Sequence, residues 1–112
     1  MKKILSDEAL EMIASRFKLL SDPMRLRILH TLGEEEMTVS ELVEATSGGQ
    51  ANISKHLGFL LEAGVVSRRK EGLNAFYKVS DETIFELCDT VCNRLESQLN
   101  LRKNILSDFV SR

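Results

Sequence analysis

Five side chains able to form hydrogen bonds crowd one short stretch of the chain: Gln50, Asn52, Ser54, Lys55 and His56, with Ala51 among them. Glutamine and asparagine amides can bond an adenine edge in pairs, and a lysine can meet a guanine edge or a phosphate. A little downstream, Arg68, Arg69 and Lys70 form a run of three cations, the chemistry that tracks a phosphate backbone. These nine residues are the candidate DNA-contacting set. Which base each would read does not follow from residue type.

A second pair of groups lies further on. Cys88 and Cys92 are four residues apart, and on a helix that spacing turns about 400°, so both point to nearly one face. Two thiols so placed can bind a soft ion such as arsenite, cadmium or copper(I), or be oxidised. An intrahelical disulfide at this spacing would be strained, whereas one between subunits is geometrically easier. The same two residues equally suit packing, because cysteine behaves as a small hydrophobe and both fall on an apolar stripe with Ile84, Val91 and Leu95. His30 reads as a structural histidine at a helix end, and Glu34, Glu35 and Glu36 as a solvated turn. No phosphate loop or nucleophile motif appears, and neither cysteine has a paired histidine nearby in sequence, so an enzyme is not expected.

The net charge of −2 sits uneasily with DNA binding until its distribution is considered. Residues 50–80 carry Lys55, Arg68, Arg69, Lys70 and Lys78 against Glu62 and Glu71, an excess of +3, while the flanking segments are −3 and −2. A local basic excess, not the sum, is the footprint of a polyanion binder. The 112 residues suit one domain. No run of 18 apolar residues occurs, so no membrane span is expected, and the first residues turn acidic too early for a signal peptide. Two cysteines are too few for a disulfide-stapled scaffold. The expectation is a cytoplasmic protein with reduced thiols.

The elements that must position these groups follow from periodicity. Leu10, Ile13, Ala14, Phe17 and Leu20 recur at helical spacing from Ser6 to Leu20. Asp22 can cap a second helix that has Pro23 in its first turn, runs through Leu32 and ends at Gly33. Thr38 and Glu41 fit a capping box for a short third helix with Leu42, Val43 and Ala45 facing inward. Thr46-Ser47-Gly48-Gly49 has turn composition. A fourth helix from about Gln50 to Ala63 presents Ile53, Leu57, Leu60 and Leu61 as one apolar stripe. The period then changes: Val65–Arg69 and Ala75–Val79 read as strands of a hairpin around the turn residues Lys70 to Asn74. A long helical pattern returns from Asp81 to about Val110, including Ile105, Leu106 and Phe109. A short helix, a tight turn and a second amphipathic helix make a helix-turn-helix (about 38–63). With the basic hairpin as a wing (about 65–79), the predicted fold is mainly α with a small β-hairpin: a winged helix-turn-helix in the order ααααββα. The reading that competes with DNA binding is a winged-helix protein-interaction module.

Several stretches resemble one family, the ArsR/SmtB group of bacterial winged-helix repressors, over roughly residues 10–100. Leu20-Ser21-Asp22-Pro23-Met24-Arg25-Leu26-Arg27-Ile28-Leu29 is similar to its (L/A)-x-D-P-x-R-L-x-I-L signature, and Gln50-Ala51-Asn52-Ile53-Ser54-Lys55-His56-Leu57 to its Q-S-x-V-S-x-H-L recognition helix. Glu62-Ala63-Gly64-Val65-Val66 resembles E-A-G-L-V, and Arg69-Lys70-Glu71-Gly72 followed by Phe76-Tyr77 resembles the family's wing. The resemblance implies a homodimer joined through long terminal helices (the last at about 81–110), bound to a palindromic operator in double-stranded DNA and released by an inducer. Two departures stand out. Gly49 replaces a common serine before the recognition helix, and Leu73 and Asn74 replace arginine-rich positions at the wing tip. The family's third-helix metal site uses cysteines where this chain has Thr38-Val39-Ser40. Its last-helix zinc site keeps only Asp81, with Thr83, Arg94 and Ser97 at the other positions. Neither site is expected, which leaves Cys88 and Cys92 as the place where a soft metal or metalloid, or an oxidant, could be sensed.

Overall fold

A computed structural model describes residues 4–99. The order of elements is α1 (Asp7–Leu19), α2 (Pro23–Leu32), α3 (Val39–Thr46), α4 (Gln50–Glu62), β1 (Val66–Glu71), β2 (Asn74–Val79) and α5 (Thr83–Leu99). The chain divides into two units between Ser80 and Asp81.

Local signals start and stop the helices of the first unit. Ser6 caps α1 by accepting from the Ala9 N–H. Asp22 caps α2, accepting from the Met24 and Arg25 N–H groups at 2.8 and 3.3 Å. Pro23 occupies the first turn, where it has no hydrogen bond to lose. Gly33 ends α2 at φ +54°, a conformation that side chains with a Cβ rarely adopt. Thr38 and Glu41 form the full capping box of α3, which satisfies two backbone donors reciprocally.

Ile28, Leu29 and Leu32 of α2, Leu42 of α3, Ile53, Leu57 and Leu60 of α4, and Val65, Val66 and Val79 around the hairpin are buried together as the core. Burial on α3 differs from expectation at two positions: Ala45 is exposed and Thr46 is buried. Thr46 lies one helical turn from Leu42, on the same face. Its hydroxyl donates to the Leu42 carbonyl at 2.6 Å and accepts from the Gly48 N–H, so burying it leaves no polar group unsatisfied. Gly48 follows where a Cβ would sit 2.9 Å from Ile53 Cδ1, which makes this turn the point of closest approach between the α3–α4 connection and the core.

The hairpin is longer and its turn tighter than expected. Lys70, Glu71 and Asn74, expected as turn residues, pair in the ladder as Lys70↔Ala75 and Glu71↔Asn74. Only Gly72 and Leu73 remain as the loop. Gly72 sits at φ +63°, as the first loop position of a two-residue hairpin turn demands. A single bridge adds a third backbone segment: Met37 and Tyr77 exchange both hydrogen bonds, at 3.0 and 2.8 Å.

Arg25 explains the arginine of the second-helix signature. Its Nε donates to the Leu19 carbonyl at 2.8 Å and an Nη to Lys18 at 3.3 Å, which serves carbonyls at the end of α1. Its guanidinium also lies 4.5 Å above the Phe59 ring of α4, a cation–π contact. One side chain therefore ties α2 to both α1 and α4.

Asp22 yields a measurable pH dependence. Desolvation opposes its charge, but the Arg25 and Met24 N–H groups and the nearby His56 and Arg25 outweigh it and hold the carboxyl below its ordinary value of 3.8. A carboxyl depressed in the folded state contributes its full stability above the unfolded value and loses it as the pH falls through the folded one. Asp22→Asn retains a good cap but should remove this acid-side loss, whereas Asp22→Ala loses the cap and should lower stability at neutral pH. Urea denaturation of the three proteins at pH 7 and near pH 3 checks both expectations. Equal acid sensitivity in the parent and Asp22→Asn would contradict the first.

The second unit is described through α5 alone. The Asp81 carboxylate accepts from the Thr83 N–H and hydroxyl at the start of the helix. α5 carries Ile84, Leu87, Cys88, Val91, Cys92 and Leu95 at helical spacing, and Val91 and Leu95 are exposed. The expected continuation through Ile105, Leu106 and Phe109 lies outside the described residues.

Candidate nucleic-acid interface

The α4 helix has two faces. Ile53, His56, Leu57 and Leu60 are buried, while Gln50, Ala51, Asn52, Ser54 and Lys55 are exposed. Burial of the first set anchors the helix, and the second set is left as a row of short polar side chains with one cation. Gly49 supplies no side-chain cap hydrogen bond, in line with the missing serine. α3, the Gly48 turn and α4 together form the helix-turn-helix.

His56 is not on the exposed face. It is 9% exposed, and its Nε2 lies 3.9 Å from the Asp22 carboxylate at the start of α2. The physical reason is spacing: residue 56 lies three after Ile53 and four before Leu60, on the inward stripe. The structure therefore separates it from the other candidate contacts on this helix. His30, by contrast, is exposed, with Nδ1 2.9 Å from the Leu26 carbonyl.

The wing carries its cations on two faces. In an antiparallel ladder, directly paired residues share a face. Arg68↔Tyr77 and Lys70↔Ala75 lie on one, and Ser67↔Lys78, Arg69↔Phe76 and Glu71↔Asn74 on the other. Arg68 and Lys70 are exposed and form no ion pair among the described residues. Arg69, though half exposed, is held by three side chains. Its Nη2 and Nε donate to the two Glu36 oxygens at 2.8 and 3.1 Å, its Nη1 to Glu71 at 2.8 Å, and its guanidinium lies 4.8 Å above the Phe76 ring. Hydrogen bonding to Arg69 holds the Glu36 carboxyl below the usual carboxylate range. The same contacts, with Glu36 first, hold the guanidinium proton more tightly than usual. The triple-glutamate stretch is exposed as expected, but Glu36 is a clamp on the wing and not only a solvated turn residue.

The chain was compared with known proteins. The sequence profile of bacterial regulatory proteins of the arsR family matches residues 22–68, from the α2 cap into β1. The transcriptional regulator Rv0081 of Mycobacterium tuberculosis is 35% identical over 105 residues, covering 93% of this chain and 92% of its own. The chain belongs to the arsR family. The crystal structure of Rv0081 superposes on this regulator with a TM-score of 0.72 at 34% identity, over 94% of this chain and 99% of the other. The biofilm growth-associated repressor of Xylella fastidiosa is 34% identical over 79 residues, 70% of this chain and 69% of its own. The solution structure of the homodimeric winged helix-turn-helix domain of Mb0332 from Mycobacterium bovis gives a TM-score of 0.68 at 27% identity, over 92% and 95% of the two chains. The expected fold is thereby shown: among the described residues, five helices and one antiparallel hairpin in the winged helix-turn-helix arrangement of a DNA-binding transcriptional regulator.

In this arsR-family regulator the two cysteines are free and half-buried, one turn apart on α5. Burial pushes the Cys88 thiol up, helped by Asp89 and Cys92, and burial pushes Cys92 up, helped by Glu96 and Asp89. Cys92 Sγ also lies 3.8 Å from Glu96 Oε1. These surroundings favour the neutral thiol, whereas the thiolate is the metal ligand and nucleophile. Asp81 is engaged by Thr83. No described helix is long and apolar enough to cross a membrane.

Proposed function

We propose that this regulator is a homodimeric repressor that binds a palindromic operator, with α4 of each protomer in a major groove and its wing along the adjacent phosphates. The observation that carries the reading is the exposed row Gln50, Ala51, Asn52, Ser54 and Lys55, rigidly backed by the buried stripe of α4 and followed by Arg68 and Lys70 on one face of the wing. A helix used this way needs its outward side chains presented on a packed support. Repression is inferred from the Xylella relative.

Dimerisation has its own support. Leu10, Ile13 and Phe17 of α1 are 49%, 42% and 57% exposed, and Val91 and Leu95 of α5 are 56% and 40% exposed. Rows of exposed large apolar residues mark surfaces that a partner covers. The Mb0332 domain is a homodimer, and a two-fold partner would present two α4 helices to the two halves of a palindrome. On this reading α2 through the wing form the DNA-binding part, and α1 and α5 belong to the dimerisation part. Cys88 and Cys92 pack as small apolar side chains in the α5 stripe, where burial favours the neutral thiol.

The test combines sedimentation with the salt dependence of binding to random and operator duplexes. The expected result is a dimer whose affinity for both DNAs falls steeply as salt rises, because bound phosphates release counterions. Serine at both cysteines should leave the response of the complex to cadmium or arsenite as it is in the parent. Failure to bind random duplex even at low salt would overturn the DNA reading and favour a protein-interaction module.

A further inference from the structure

We propose that Glu36 withholds Arg69 from DNA, so that the wing meets phosphate with its Arg68–Lys70 face and the Glu36–Arg69 clamp limits sequence-independent affinity. This rests on the DNA-binding reading above and assigns different roles to three adjacent cations.

The argument is geometric and electrostatic. Register puts Arg68 and Lys70 on one side of the hairpin and Arg69 on the other. The Arg68–Lys70 face bears two positive charges without a carboxylate among its paired residues. The opposite face carries Arg69, Lys78 and Glu71 from the hairpin, with Glu36 brought in from the α2–α3 connection, so its charges cancel. Glu36 takes Arg69 in a two-bonded fork and Glu71 takes the remaining Nη, the geometry in which a guanidinium pairs best with carboxylates. A phosphate reaching for Arg69 must come up against two carboxylates. If Arg69 swung away to meet it, both carboxylates would be left facing a polyanion. The bridge between Met37 and Tyr77 fixes the residue after Glu36 to the strand beside Arg69, so the clamp is held by backbone as well as by charge. An exposed ion pair contributes little to stability, which leaves the control of wing charge as its consequence.

Replacing Glu36 with glutamine keeps the shape of the side chain and removes its charge. For Glu36→Gln, binding to random duplex should tighten at low salt, and the plot of log affinity against log salt should steepen by about 0.9 per protomer, the contribution of one added phosphate contact. Arg68→Ala and Lys70→Ala should each make it shallower by about the same amount. Arg69→Gln should leave the slope within error of the parent, and in the Glu36→Gln background it should cancel the gain. All four altered positions lie at the exposed surface, and circular dichroism reports that each variant is folded. An unchanged slope in Glu36→Gln, or a loss of about 0.9 per protomer in Arg69→Gln alone, would overturn the proposal. Absence of any salt-dependent binding by the parent would instead overturn the DNA-binding reading on which it rests.

Discussion

Leu57→Ala is expected to destabilise the regulator by about 2–5 kcal/mol, the range for emptying a packed leucine site. Leu57 is fully buried in the middle of α4, with Ile53 and Leu60 on either side along the same stripe. Truncation removes buried apolar surface and leaves a cavity that a helix held at both ends cannot collapse into. Small domains have a total stability of only about 5–15 kcal/mol, so this one change removes a large share. At about 4–8 °C per kcal/mol for a domain near this size, the thermal midpoint should fall by at least about 8 °C, measured at one protein concentration because dimerisation adds to apparent stability. Leu73→Ala is the control. Leu73 is fully exposed at the hairpin tip, and its truncation should change stability by less than about 0.5 kcal/mol. If the two variants melt together, the stripe of α4 is not the anchor described above. DNA binding by Leu57→Ala should weaken only as far as the folded fraction falls.

The second large effect concerns specificity and leaves stability alone. Gln50 and Asn52 are exposed on the outward row of α4. A well-formed two-bonded amide–base contact discriminates by about 1–3 kcal/mol. A homodimer makes each contact twice, so Asn52→Ala should weaken binding to a duplex selected for tight binding by at least about 30-fold, at about 1.4 kcal/mol per tenfold. Gln50→Ala should act in the same direction. Neither change removes a cation, so affinity for random duplex and the salt slope should stay as in the parent. Competition titrations with selected and random duplexes, together with a melt, separate these quantities. Equal losses on both DNAs would mean that the row positions the protein on the backbone and does not read bases.

These two predictions draw on different sources of information. The anchoring stripe was legible in the chain, since Ile53, Leu57 and Leu60 repeat at helical spacing. So were the caps: Asp22 with Pro23, Thr38 with Glu41, and Gly33 all act within a few residues of themselves. The burial of His56 is legible in its position, because it completes the spacing 53, 56, 57, 60. Its place on the inward stripe decides its burial, whatever its polar character. Thr46 escaped for a related reason: a hydroxyl can be buried at little cost when the carbonyl one turn back accepts from it. At the hairpin, composition suggested a five-residue turn, but Lys70, Glu71 and Asn74 pair in the exposed ladder, where side-chain preference weighs less than register.

What the sequence by itself determined is the list and order of elements, the helix-turn-helix with its wing, and the two polar and basic stretches proposed to meet DNA. Each is set by interactions spanning one or two turns of helix or one tight turn. Only the tertiary structure decided which of three neighbouring cations is held by carboxylates. Arg69 meets Glu36 across 33 positions of sequence, and Arg25 meets Phe59 across the core. Such contacts have no local signature. They arise when packing of α2, α3 and α4 brings the α2–α3 connection alongside β2, where Met37 pairs with Tyr77, and the partner of a charge is then fixed by which carboxylate that packing leaves within reach.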